Sequence, residues 1–101
     1  MFLSKKQIKD YQIDGVIIVK NIFKDWIEPL IKGFQKVLDN PSKHGRENID
    51  DNKGRFFEDY CNWMIVEEFK DCIFNSPGAQ IVAEATNSKS SQIFHEHIFI
   101  K

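Results

Sequence analysis

FHEHIFIK, Phe94 to Lys101, is the stretch on which the fold turns. From Gln92 onward the chain is rich in Ile and Phe, and it reads as a β-strand ending at Lys101. Strand side chains alternate, so His95, His97, Phe99 and Lys101 share one face. Phe94, Ile98 and Ile100 share the other and form the packing face, interrupted by Glu96. Two imidazoles two residues apart can bind one metal ion. Zinc or non-haem iron needs a third ligand, usually with a carboxylate in the set, and Glu96 points to the opposite face. The pair is not the HExxH pattern of helical zinc enzymes, whose histidines are four apart. The plainer reading is a polar lining for a pocket. Lys101 on the same face suits a carboxylate or phosphate, or is an exposed lysine at a strand end.

Working back from this strand, Asn87-Ser88 breaks a helix that runs through about Ala85, with Ile81, Val82 and Ala85 on its inner stripe. Ser76-Pro77 supplies its N-cap and a favoured first-turn proline. Met64, Ile65, Phe69, Cys72 and Ile73 follow mostly helical spacing over 63–74. GRFFEDYCNW, Gly54 to Trp63, sets three aromatics and Trp63 beside Arg55, Glu58 and Asp59. It reads as a loop pinned by its aromatic side chains with Arg55 paired to an acid, or as a pocket wall. Residues 41–54 are polar and read as a mobile loop long enough for a lid or gate. His44, inside it, reads as solvated.

Farther upstream, Trp26, Ile27, Leu30, Ile31, Phe34, Val37 and Leu38 mark an amphipathic helix. Asp25 is its candidate N-cap, Pro29 falls in its first turn and Asn40-Pro41 ends it. Val16-Ile17-Ile18-Val19 reads as a buried strand after an Asp14-Gly15 turn. Ser4 and Gln7 predict a capping box opening a helix through about Tyr11.

The 101 residues suffice for one small domain. With 14 basic and 15 acidic residues, the net charge of −1 argues against a protein built to grip nucleic acid. The longest apolar run is Val16–Val19, too short to span a bilayer, and MFLSKKQIKD has no signal-peptide core. Cys61 and Cys72 are too few for a disulfide framework, which favours a cytoplasmic protein with free thiols. Cys61 has no activating base nearby in sequence, so a nucleophilic role is not expected. No glycine-rich phosphate loop and no Ser–His–Asp spacing is present.

Four pieces together resemble the N-terminal part of the phytanoyl-CoA dioxygenase family of Fe(II)- and 2-oxoglutarate-dependent oxygenases. They are Leu3-Ser4 with Gln7-Ile8, Tyr11 and Asp14-Gly15-Val16-Ile17-Ile18-Val19; GRFFEDYCNW; Asn75-Ser76-Pro77 with its helix; and FHEHIFIK. The resemblance covers nearly the whole chain. It implies an α+β fold: N-terminal helices plus the first strands of a double-stranded β-helix, a jelly roll, here truncated. Residues 1–101 would be the incomplete N-terminal portion of one such domain.

The family holds iron with a His-x-Asp pair and a distal His, which this chain lacks, since the pair lies beyond the position of Lys101. His95-x-His97 does not replace it. By resemblance Lys101 matches a lysine that contacts 2-oxoglutarate, and His95 falls where relatives place a substrate-contacting side chain. No catalytic residue and no metal ligand is carried over.

The implied whole enzyme uses Fe(II) and 2-oxoglutarate to hydroxylate a small organic substrate. Neither is expected to bind tightly to these 101 residues alone, which are expected to be inactive. The alternatives are a non-catalytic interaction domain that uses the aromatic stretch 56–63 and a self-sufficient metal module built on His95 and His97. No nucleic-acid or membrane partner is expected. A last strand without neighbours should expose an unpaired edge and promote self-association.

Overall fold

The computed structural model describes residues 1–50 and 54–101. Helix α1 spans Lys5–Asp14 and α2 spans Ile27–Asp39, preceded by a 3-10 turn at Lys24–Trp26. Strands β1 (Arg46–Asp50) and β2 (Gly54–Tyr60) follow. Helices α3 (Glu67–Asn75) and α4 (Gly78–Ala85) lead to β3 (His97–Ile100). The three strands form one antiparallel sheet in the order β1-β2-β3. The class is therefore α+β.

Side-chain alternation on β2 divides the sheet into two unlike faces. Phe57 and Asp59 point inward and are buried, while Phe56, Glu58 and Tyr60 point outward and are half-buried. Opposite them on β3, Ile98 is inward and His97 and Phe99 are outward. The inward face packs on α2 and α3 around Val37, Phe57, Val66, Phe69 and Ile98, with Leu30, Phe34, Leu38, Trp63 and Ile100 at the margin. Each fully buried Phe or Ile side chain here is worth roughly 1.5–3 kcal/mol. Phe34 meets Phe69 edge-on at 5.5 Å between ring centroids.

Helices α2 and α3 come close because Gly33 has no side chain. A Cβ there would lie 2.6 Å from Cε1 of Phe69 and 3.2 Å from Cβ of Glu68. The Lys36 ammonium, 2.6 Å from the Glu68 carboxylate, spans the same two helices at the surface. A second, smaller packing unit joins α1 to α4. Leu3 and Ala85 are buried in it, Gln12 donates to the Ala85 carbonyl (2.6 Å), and Glu84 accepts from the backbone N–H groups of Phe2 and Leu3.

The capping box at Ser4 and Gln7 forms as expected, and α1 runs on to Asp14 before Gly15 closes it at φ 74°. That left-handed cap is a conformation glycine reaches without steric cost.

Several other expectations are corrected. Val16–Val19 is not a buried strand. It is a segment without regular secondary structure and with no ladder partner among the described residues, and Val16 and Ile18 are 65% and 81% exposed. β-branched residues favour extended backbone, but a strand also requires a neighbour to take its hydrogen bonds. Val16, Ile17 and Val19 instead line an open depression together with Tyr11, Ile81, Val82 and Ala85. Val82, expected on the inner stripe of α4, is 53% exposed.

Asp25 does not cap α2; it lies within the 3-10 turn. Ile27 and Ile31 extend the apolar stripe of α2 but are more than half exposed. The polar region 41–54, expected to be a loop, contains β1, which pairs with β2; its residues 51–53 lie outside the described residues. GRFFEDYCNW is the central strand of the sheet followed by a turn, and Arg55 does pair with an acid, Glu47.

The helix expected from residue 63 begins at Glu67, because Asn62–Ile65 is held as a turn by N–H bonds from Ile65 and Val66 to the Asn62 carbonyl. Met64 and Ile65 are consequently exposed. The last strand is shorter than expected, beginning at His97, and Phe94 is 91% exposed rather than packed.

Gly33→Ala is expected to lower unfolding free energy by about 1–3 kcal/mol, the usual cost of forcing a methyl into a filled core. Urea denaturation measures it, and an unchanged midpoint would refute the close α2–α3 contact.

Candidate functional site

The outward face of the sheet carries none of the described helices and gathers the three histidines and Tyr60. Tyr60 is its hub. His44 stacks on Tyr60 at 4.3 Å with an 18° interplanar angle. His97 lies 5.2 Å from the same ring and His95 6.1 Å. His97 in turn stacks on Phe99 at 4.2 Å and 21°, and Phe99 approaches Phe56 at 5.8 Å. The three histidines of the chain therefore meet around one phenol. An acid on the same face, Glu58, has its Oε2 4.0 Å from His97 Nε2.

A buried carboxylate on the other face fixes this geometry. Asp59 is completely buried. It accepts hydrogen bonds from the Ser42 N–H (2.8 Å), the Ser42 hydroxyl and the Tyr60 N–H (2.8 Å). The Ser42 hydroxyl oxygen accepts from the His44 N–H (3.0 Å), and the Gly45 N–H donates to the Ser42 carbonyl (3.0 Å). Gly45 is required by the closeness of this turn. A Cβ there would be 2.8 Å from Pro41 Cβ and 3.2 Å from Asp59 Oδ2. Asp59 thus clamps residues 42–45, and the clamp lays His44 on Tyr60.

Burial alone would push the Asp59 carboxyl up. The hydrogen bonds from Ser42, Tyr60 and Asn62 outweigh it and hold the group below the usual carboxylate range.

Glu96 plays a matching role at the same end of the sheet. It points inward, as its position in the alternation requires. One carboxylate oxygen accepts from the backbone N–H groups of Asn62 and Trp63. The Cys61 N–H donates to the Glu96 carbonyl at 3.1 Å. Cys61 itself adopts φ 63°, ending β2, and its side chain is exposed. Cys72 is a half-buried free thiol, and burial pushes its pKa up.

The two residues assigned a role by resemblance are not brought together. His95 is exposed and stands at the Tyr60 end. Lys101 stands at the opposite end of the last strand, roughly 20 Å away along an extended chain. There it lines an open depression of about 480 Å³ with Asn48, Phe56, Arg55 and Glu47. Lys101 can hold a carboxylate there by charge.

Iron would need two histidines and a carboxylate converging on one point. His95 and His97 share a face with ring centroids 6.4 Å apart. Among the described residues, however, no three His, Cys, Asp or Glu side chains are grouped to hold a metal ion. These residues do not fit as an iron site. No described helix is long and apolar enough to cross a membrane.

Sequence reading missed Tyr60, Asp59 and His44. His44, expected to be solvated, is stacked and half-buried. The available signal was the alternation Phe56, Glu58, Tyr60 against Phe57, Asp59, which appears once 54–60 is read as a strand. Compared with protein-family models, curated proteins and solved structures, the chain matches none.

Asp59→Asn tests the clamp. The folded carboxyl lies below its ordinary value, so its contribution is present above that value and lost as pH falls through the folded pKa. The variant should lose about 1.5–3 kcal/mol at neutral pH, the range for hydrogen bonds to a charged group. Its stability should then fall less than that of the parent between about pH 5 and about pH 2. Urea melts across that range measure both; equal stability at neutral pH would refute the assignment.

Proposed function

We propose that this chain is the N-terminal portion of an Fe(II)- and 2-oxoglutarate-dependent oxygenase domain of the phytanoyl-CoA dioxygenase kind. On this reading the outward sheet face is one wall of its pocket. The observation that carries the reading is the two-faced sheet. Helices cover one side only, and the open side presents His95, His97, Tyr60, Phe99 and Lys101. A wall of this kind suits a small organic substrate held against aromatic rings, with an anionic group at the lysine end.

In this reading the iron ligands come from outside residues 1–101. Iron and 2-oxoglutarate supply the hydroxylation chemistry, and the residues present supply binding and orientation. Lys101 takes a carboxylate of 2-oxoglutarate, and His95 meets the primary substrate.

A non-catalytic interaction domain is the second reading, favoured by the exposure of Ile18 (81%), Ile65 (80%) and Phe94 (91%). The aromatic stretch 56–63 is not wholly available for that purpose, since Phe57 belongs to the core.

Nuclear magnetic resonance on the chain, titrated anaerobically with 2-oxoglutarate in the presence of Fe(II), separates these readings. Weak shifts centred on Lys101 and Phe56, absent in Lys101→Ala, are expected, together with no consumption of 2-oxoglutarate once dioxygen is admitted. Shifts that bypass Lys101 would remove its role. Tight stoichiometric iron binding with turnover by these residues alone would overturn the partial-site reading.

A further inference from the structure

Strand β3 is a sheet edge, and none of the described strands pairs with its free side. The bond from the Cys61 N–H to the Glu96 carbonyl sets the parity of the β2–β3 ladder. Antiparallel pairs alternate between bonded and non-bonded, so Asp59 with Ile98 and Phe57 with Ile100 exchange hydrogen bonds. His97 and Phe99 accordingly direct their N–H and C=O groups away from β2. No described strand lies on that side.

The opposite edge of the sheet is defended. β1 reads RENID, with charged side chains that discourage pairing. β3 reads HIFI, without proline, glycine, bulge or permanent charge. Phe99 is 58% exposed beside it.

We propose that β3 pairs antiparallel with β3 of a second copy of this chain, in the register centred on Ile98, to give a six-stranded sheet across a two-fold axis. Parity restricts pairing to registers two residues apart, and of these the one centred on Ile98 engages both His97 and Phe99 of each copy. It sets His97 opposite Phe99 of the partner subunit and Phe99 opposite His97 of the partner subunit. These are the residues whose backbone groups face outward, and all four N–H donors find carbonyls. A shift of one residue along one strand would set His97 against Ile100 of the partner subunit, whose groups are engaged with β2.

Two further features favour a second copy as the occupant. The edge is self-complementary, so one strand supplies both halves of an isologous contact. On the open face, the stacked His97–Phe99 pair of each copy meets the same pair of the other, which joins four rings across the axis. A net charge of −1 per chain opposes this little. The proposal concerns residues 1–101 by themselves: in the oxygenase reading, further strands of the same domain would take this edge.

Sedimentation equilibrium from micromolar to millimolar chain should show weight-average mass rising two-fold. Amide hydrogen exchange should show His97 and Phe99 becoming protected only at high concentration. Ile98 and Ile100, bonded to β2, should be protected throughout. Phe99→Lys places a charge on the edge, and Phe99→Pro removes an outward donor without touching the β2 ladder. Both should remain monomeric with unchanged circular dichroism; if either fails to fold, the exchange pattern of the parent decides. A parent that stays monomeric, a dimer in which His97 and Phe99 exchange freely, or folded variants that still dimerise would each overturn the proposal.

Discussion

The carboxylate of Asp59 is the constraint from which the rest follows. It sits on the central strand, fully buried, and a buried charge survives only when its lone pairs are met. Ser42 and the Tyr60 N–H meet them. Satisfying the charge draws the Pro41–Gly45 turn against β2, and that turn delivers the chain into β1 in register with Arg46 opposite Glu58. The same requirement sets His44 over Tyr60. A group that contributes nothing to the outward face directly therefore decides which rings assemble there.

The second constraint is coverage. Helices α2 and α3 cover one side of the sheet at β2 and β3, leaving β1 exposed, and α1 and α4 pack on each other rather than on the strands. The result is extended, 46 × 32 × 23 Å, with a radius of gyration of 16.0 Å. A compact domain of this length would be near about 13 Å. Large apolar side chains remain in solvent on Val16, Ile18, Ile65 and Phe94. A chain that leaves this much apolar surface open gains less from burial than its composition allows, so its stability leans on the cores around Phe57 and Phe69 and on polar anchors such as Asp59.

Much of the local structure was legible in the residues because local rules sufficed. Ser4 and Gln7 satisfy each other across one helical turn, which needs no tertiary partner. The inward residues Leu30, Phe34 and Val37 follow from spacing alone. What failed was whatever depended on a distant neighbour. Val16–Val19 has strand composition and no strand to pair with. Residues 46–50 have loop composition and become a strand because β2 lies beside them. Met64 and Ile65 have helical spacing, but the turn at Asn62 holds them outside the helix. For the site, the face shared by His95, His97 and Phe99 was legible from alternation. Its meeting with Tyr60 and His44 was not, because that depends on the β2–β3 register and on a buried aspartate.

The polar anchors are not spread evenly along the sheet, and this separates its two ends. Asp59, Asn62 and Glu96 cluster where β2 leaves the sheet and β3 enters it, tying both strands to the turn before α3. The rings of His44, Tyr60 and His97 stand at this end, where the Asp59 and Glu96 carboxylates bind the backbone of Ser42, Tyr60, Asn62 and Trp63. At the far end Arg55 pairs with Glu47 in solvent, and Lys101 follows the last residue of β3 without a hydrogen-bond anchor of its own among the described residues. An exposed ion pair holds geometry weakly compared with a buried, fully bonded carboxylate. The histidine–tyrosine end is therefore the preorganised part of the face, suited to orienting a bound group by shape. The lysine end is the adaptable part, suited to recognising charge at the end of a flexible stem.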